Sequence, residues 1–163
     1  TTYIIRLATR DDVNSLSALE LDFDRYYESH DFESHYERIS SDKIPESFYS
    51  KSILESFDDS NSWTFIAEVD GKIVGSSTVV KEEKKPIELY SIGHVGHIES
   101  IFVLDAYRGK GIGKALMDTM FDRLRNEGVT LCTLSVLEKN TEALELYEKL
   151  GFEKERIKMY KQL

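Results

Sequence analysis

Three glycines at alternate positions, 109, 111 and 113, separate an apolar run ending at Val103 from an amphipathic run that reaches about Asn126. Glycine costs helix stability. Three of them at one helix entrance therefore mark a backbone that must stay bare or adopt unusual dihedrals. The unit reads as strand, tight loop, helix. The first N–H groups of a helix lack internal partners, and the helix dipole favours an anion beside them. Arg108, Lys110 and Lys114 add positive charge to a chain of formal net charge −9. The segment Arg108-Gly109-Lys110-Gly111-Ile112-Gly113 thus reads as a backbone cradle for a pyrophosphate.

Two competing phosphate motifs are excluded. A P-loop needs Gly at 108 and Ser or Thr at 115, where this chain has Arg108 and Ala115. A dinucleotide fingerprint needs Gly-x-Gly-x-x-Gly, and here the third glycine arrives one residue early, at 113.

The rest of the chain alternates strand and helix signals. Residues 3–7 read as a strand. Thr9 can cap a helix with Asp11 and Asp12 in its first turn, and Leu16, Leu19 and Phe23 recur at helical spacing. Residues 31–57 suit one or two further helices, with Pro45 near a start. Residues 63–69 and 72–80 read as strands joined by an Asp70-Gly71 hairpin turn, and residues 82–86 as a polar turn. Further strands are expected over 94–103, 129–136 and 156–162, and a helix over 140–150 with Gly151 as its stop. Residues 129–136 are apolar on both faces, as in a central strand covered on both sides. The pattern predicts an α/β or α+β layered domain around a mixed sheet, and 163 residues suit one domain, 1–163.

Composition narrows the partners. Hydrophobic residues make up 40% and charged residues 31%, which is ordinary globular usage. The negative charge argues against non-specific nucleic-acid binding. No apolar run approaches the roughly 20 residues that span a bilayer, and residues 1–6 lack the apolar region of a secretory signal. No membrane partner and a cytoplasmic location are therefore expected. The single cysteine, Cys132, forms no internal disulfide and reads as a buried small hydrophobe rather than a nucleophile. His94 and His97 have no further ligand set beside them, so no metal is expected. Residues 20–59 hold twelve acids against four bases, either a solvated helix face or an acidic rim that attracts a cation.

Ile101-Phe102-Val103 followed by Arg108-x-x-Gly111-x-Gly113 resembles motif A of the GNAT N-acetyltransferases, whose pattern is Arg/Gln-x-x-Gly-x-Gly/Ala. Downstream, Asn140-x-x-Ala143-x-x-x-Tyr147-x-x-x-Gly151-Phe152 resembles the family's motif B at its expected distance. The opening Ile5-Arg6-x-Ala8-Thr9-x-Asp11-Asp12 is similar to its first strand and helix. The resemblance implies a single domain with a mixed, mostly antiparallel central sheet, strands four and five splayed, and helices on both faces. It implies acetyl-CoA as cosubstrate, with its pyrophosphate on Arg108 through Lys114, and homodimers are common in the family. A bulge in the fourth strand would leave the pantetheine arm to pair with the backbone of Ile101, Phe102 and Val103. Unpaired N–H and C=O groups of a splayed strand need such partners. Their side chains would meanwhile pack in the core.

Asn140, Ala143 and Tyr147 share one helix face. Asn140 is a helix N-cap in the plain reading, and the resemblance adds a hydrogen bond to pantetheine. Ala143 would leave room for the cofactor. Tyr147 would place its hydroxyl near the sulfur and protonate or hydrogen-bond the departing thiolate; its plain reading is packing beside Leu144 and Leu150. An acceptor amine with pKa about 10.4 must lose a proton before attack. Period-two alternation puts His97, Glu99, Ile101 and Val103 on one face. Glu99 is the first candidate base, against a role as an edge or salt-bridge residue, and His97 is the second. Direct transfer is expected, with backbone N–H groups near 101–103 facing the oxyanion. The acidic stretch favours a cationic small amine or polyamine as acceptor, and a protein N-terminus or lysine is the competitor. A non-catalytic acyl-CoA-binding module is the alternative from another class.

Overall fold

The computed structural model describes residues 2–30, 39–83 and 93–163. Five strands form one sheet in chain order: β1 (Ile4–Leu7), β2 (Ser62–Val69), β3 (Lys72–Glu83), β4 (His94–Val103) and β5 (Cys132–Leu134). The first four pair antiparallel, and β4 pairs β5 in parallel. The helices are α1 (Val13–Ser29), α2 (Glu46–Asp58), α3 (Ile112–Asn126) and α4 (Thr141–Lys149). The fold class is the expected one.

Alternation along β2 sorts the two layers. Phe65 and Ala67 face α3 and share the main core with Leu116, Met117 and Met120, while Ile66 faces the other way onto Leu16 of α1, with Ile53 and Phe57 of α2 beside it. The Asp70-Gly71 turn has positive φ at both residues, 50° and 78°, the type I′ geometry that suits strand twist. Arg6 of β1 forks onto Asp12 with two 2.8 Å bonds and also reaches Glu68 of β2. The Thr9 amide donates to the same Asp12 carboxylate at 2.8 Å. The Arg6 guanidinium first, with the Thr9 bonds added, holds the Asp12 carboxyl far below the usual carboxylate range.

Three expectations need correction. Residues 129–136 are not a central strand: β5 keeps only three residues and lies at the sheet edge. Val129 is buried beneath the end of α3, its N–H donating to Leu124, and Leu131 is 45% exposed, so much of that apolar run belongs to the connection. Cys132 is correspondingly only half-buried. Residues 156–162 form no strand, and Ile157 and Met159 are exposed. A period-two pattern becomes a strand only where an edge accepts it, and at the β5 edge the sheet offers only three residues. Finally, the polar turn begins later than expected because β3 runs on to Glu83, and residues 84–86 lie outside the described residues. Of the expected 31–57 helices, α2 starts directly after Pro45, and residues 31–38 lie outside the described residues.

Gly96 of β4 is a position whose necessity is visible only in three dimensions. A Cβ there would lie 2.3 Å from Cδ1 of the buried Leu124. Gly96→Ala is expected to destabilise the fold by about 1–3 kcal/mol through this overpacking. Chemical denaturation measures it, and an unchanged midpoint would show that Leu124 can yield.

Candidate active site

The cradle follows from two left-handed glycines. Gly109 and Gly111 have φ of 72° and 82°, and Gly111 is the N-cap of α3. Gly113 differs: it lies inside the helix, and a Cβ there would meet nothing closer than Val103 at 4.0 Å. The first helical bond runs from the Ala115 amide to the Gly111 carbonyl at 3.0 Å. The amides of residues 109–114 donate to no acceptor among the described residues. Six amides without acceptors at the positive end of a 15-residue helix are the setting in which a helix N-terminus can take an anion.

The cationic side chains are engaged elsewhere. Arg108 Nε donates to the Val103 carbonyl at 2.9 Å, and the guanidinium pairs with Asp105 and stacks 4.3 Å over the Tyr26 ring. Lys110 Nζ donates to the Ala106 carbonyl at 2.9 Å, and Lys114 pairs with Asp118 at 2.6 Å. Arg108 therefore braces the loop against β4 and α1. The backbone supplies the free donors.

Beside the cradle the sheet forks. β5 pairs only with Gly96–Ile98, so β4 has no β5 partner from Glu99 to Val103. The Leu104 amide bonds Val74 of β3, so alternation turns the backbone of Ile101 and Val103 away from β3 and toward the fork. The side chains of Ile101 and Val103 pack on the α3 side, whereas Phe102 faces α1, its ring 5.1 Å from Phe23.

The fork begins at a bulge. Thr78 pairs with Ser100 and Val79 with Ile98, which leaves Glu99 as an extra residue. This corrects the expectation of one shared face for His97, Glu99, Ile101 and Val103. Ile98, Ile101 and Val103 face α3, His97 takes the opposite face, and Glu99 is exposed at the bulge. His97 is half-buried, and its Nδ1 lies 3.0 Å from Thr133 Oγ1 of β5.

Asn140 caps α4, its Oδ1 accepting from the Ala143 amide at 3.2 Å. The plain reading of Asn140 is thus observed. Tyr147 stands seven residues on, edge-on to Phe152 with centroids 5.9 Å apart. Its hydroxyl makes no hydrogen bond among the described residues. Burial first, and the charge of Tyr27 second, push the phenol up to about 12. Burial pushes the Cys132 thiol up to about 11, so little thiolate exists at neutral pH.

One titrating group was not legible in the sequence. Glu20 of α1 is half-buried and makes no hydrogen bond or ion pair among the described residues. Desolvation, then the nearby Asp24 charge, raises it from 4.5 to about 7. Asp24 itself accepts from the Tyr49 hydroxyl at 2.5 Å. A carboxyl whose folded value is raised destabilises the fold as pH rises through the window from 4.5 to about 7. Glu20→Gln is expected to stabilise the protein at pH 8 by on the order of 2 kcal/mol and to be neutral at pH 4. Denaturation at the two pH values tests this, and equal shifts at both would refute the assignment. Among the described residues no three side chains form a metal-binding cluster, and no helix is long and apolar enough to cross a membrane.

Comparison with known proteins gives concordant results. The model of the Acetyltransferase (GNAT) family matches residues 17–152. An uncharacterized N-acetyltransferase of Methanocaldococcus jannaschii is 32% identical over 156 residues, which cover 96% of this chain and 63% of that protein. Glucosamine 6-phosphate N-acetyltransferase of Trypanosoma brucei brucei is 37% identical over 90 residues, 54% of this chain and 56% of that one. The chain thus spans less than two thirds of the length of these relatives. In fold, it superposes with a TM-score of 0.75 on a predicted acetyltransferase with acetyl-CoA from Clostridium acetobutylicum, 15% identical, covering 99% of this chain and 96% of that one.

Proposed function

Because the chain belongs to the GNAT family of acetyltransferases, we propose that it moves the acetyl group of acetyl-CoA to a primary amine by direct attack in a ternary complex. The observation that carries this is the adjacency of two sets of unsatisfied backbone groups. The amides of 109–114 can take the pyrophosphate, and the freed edge of β4 over 101–103 can pair with pantetheine. Gly109, Lys110, Gly111, Ile112, Gly113 and Lys114 bind through backbone N–H, and Arg108 holds their loop in place. Ile101 and Val103 present the pantetheine edge, whereas the backbone of Phe102, the third residue expected there, is turned to β3. Asn140 has its side-chain nitrogen left for the cofactor once Oδ1 has capped the helix, and Ala143 leaves room.

The acceptor ammonium first gives a proton to a base on β4, Glu99 or His97. The amine lone pair then attacks the thioester carbonyl. Backbone N–H near Ile101 faces the oxyanion, and Tyr147 donates a hydrogen bond to the departing sulfur. Cys132 carries no acyl group, in keeping with its raised thiol. Residues 1–163 act as one such domain. The acceptor is a cationic small amine or polyamine: Glu20 is a half-buried acid with no cationic partner among the described residues, on a helix that covers the same sheet face as Phe102.

The test is CoA release from acetyl-CoA with a panel of polyamines, amino sugars, amino-terminal peptides and lysine peptides. Turnover fastest on small cationic amines is expected. Tight acetyl-CoA binding with no turnover on any amine would instead make the protein a binding module.

A further inference from the structure

The reading above leaves two candidates for the base, and the β4–β5 junction distinguishes them. β5 runs parallel to β4 for three rungs, and the middle rung sets Thr133 beside His97. Their side chains point to the same face, with Nδ1 and Oγ1 3.0 Å apart. Thr133 Oγ1 also lies 3.4 Å from the Gly96 carbonyl oxygen. A hydroxyl has one proton and two lone pairs. The carbonyl can only accept. Both contacts are satisfied together only if the hydroxyl proton points at Gly96 and a ring N–H points at the hydroxyl oxygen. That chain, Nδ1–H to Oγ1–H to O=C, requires the proton on Nδ1. The opposite tautomer would have Thr133 donate to Nδ1 and would abandon the carbonyl contact.

We propose that Thr133 is a positioning residue that fixes His97 as the Nδ1–H tautomer, so that Nε2, with its free lone pair, accepts the proton of the acceptor ammonium. This rests on the acetyltransferase reading and chooses within it. The choice of ring nitrogen follows from the bond the other one makes. Position agrees with it. His97 is one rung below the last β4–β5 pair, Ile98 with Leu134, at the base of the fork where the strands separate. Glu99 is the extra residue of the bulge and is exposed. A half-buried imidazole held at one nitrogen loses less freedom on reaction than a solvated carboxylate on a bulge.

The proton balance is simple. The ammonium gives one proton to Nε2, and the imidazolium later releases it to solvent. The amine forms the N–C bond as the C–S bond breaks, and the second nitrogen proton ends on the sulfur as the CoA thiol.

The primary test needs no substrate. In uniformly 15N-labelled protein, long-range proton–nitrogen correlations assign the tautomer of each neutral histidine, and His97→Gln identifies the signal. His97 is expected to show a protonated Nδ1 and a bare Nε2. Thr133→Val should lose this preference and Thr133→Ser should keep it. An Nε2–H tautomer in the wild type, or one unchanged in Thr133→Val, overturns the proposal. With the best amine, Thr133→Val should lower kcat about ten-fold and leave KM for acetyl-CoA unchanged, while Thr133→Ser rescues. His97→Gln should cost at least as much, and adding Thr133→Val to it should cost nothing further. Full kcat in His97→Gln overturns the base role even where the tautomer is as expected. A correct tautomer in a protein that acetylates no amine refutes the acetyltransferase reading and the base role together.

Discussion

Tyr147→Phe is expected to lower kcat for amine acetylation by about 10²-fold and to leave KM for acetyl-CoA within about two-fold. The direction follows from what the hydroxyl can do. A phenol pushed up to about 12 stays protonated across the physiological range and always has a proton to offer. It is also a weaker acid than a CoA-like thiol of about 8.5. Handing the proton over completely is uphill by roughly 3.5 units, about 5 kcal/mol. In the proposed reaction the hydroxyl would therefore work as a hydrogen-bond donor that strengthens as negative charge gathers on sulfur, an interaction larger in the transition state than in the ground state. Loss of such a contact appears in kcat. Steady-state CoA release between pH 6 and 10 measures it, and no alkaline decline in this range should trace to Tyr147. Full activity in the Phe variant would return Tyr147 to its packing role beside Phe152.

The second large effect concerns the cradle. Gly111→Val is expected to weaken acetyl-CoA binding by about 10- to 100-fold, read by titration calorimetry. Gly111 sits at φ 82° as the N-cap of α3. A β-branched residue there is strained by about 1–2 kcal/mol or more, and relief of the strain would rotate the very amides proposed to hold the phosphate. Gly113→Ala is the control. A Cβ at 113 meets only Val103, at 4.0 Å, so its effect should stay within about three-fold. Equal losses in both variants would mean that space, not backbone direction, governs this loop.

These two sites differ in how far sequence reasoning could reach them. The glycine spacing, the apolar run before it and the helical run after it were all local, so the strand–loop–helix unit was readable. The same holds for the Asp70-Gly71 hairpin and the Asn140 cap, each set by neighbours in the chain. What escaped depends on contacts across the sheet. The bulge at Glu99 is set by pairing between β3 and β4, and it moved Glu99 off the face that alternation assigned to it. The inward turn of Arg108 depends on Tyr26, far away in sequence. The link between Thr133 and His97 needs a parallel register that no local pattern encodes. Residues 129–136 and 156–162 misled for the converse reason. Their apolar spacing was genuine, but strand formation requires an accepting edge, and β5 is short.

That shortness has a consequence for how the molecule breathes. Three rungs hold β5 to β4, whereas β2 and β3 are paired along eight positions. Opening in a native protein starts where the fewest backbone bonds must break at once. The fork is therefore the hinge of least resistance, and it can widen without disturbing the Met117 and Met120 core. In hydrogen exchange, the amides of Cys132–Leu134 should become labile long before those of β2. Widening of that kind would give the long arm of the proposed cosubstrate a sideways way in, through a seam already partly undone, while the rest of the sheet stays closed.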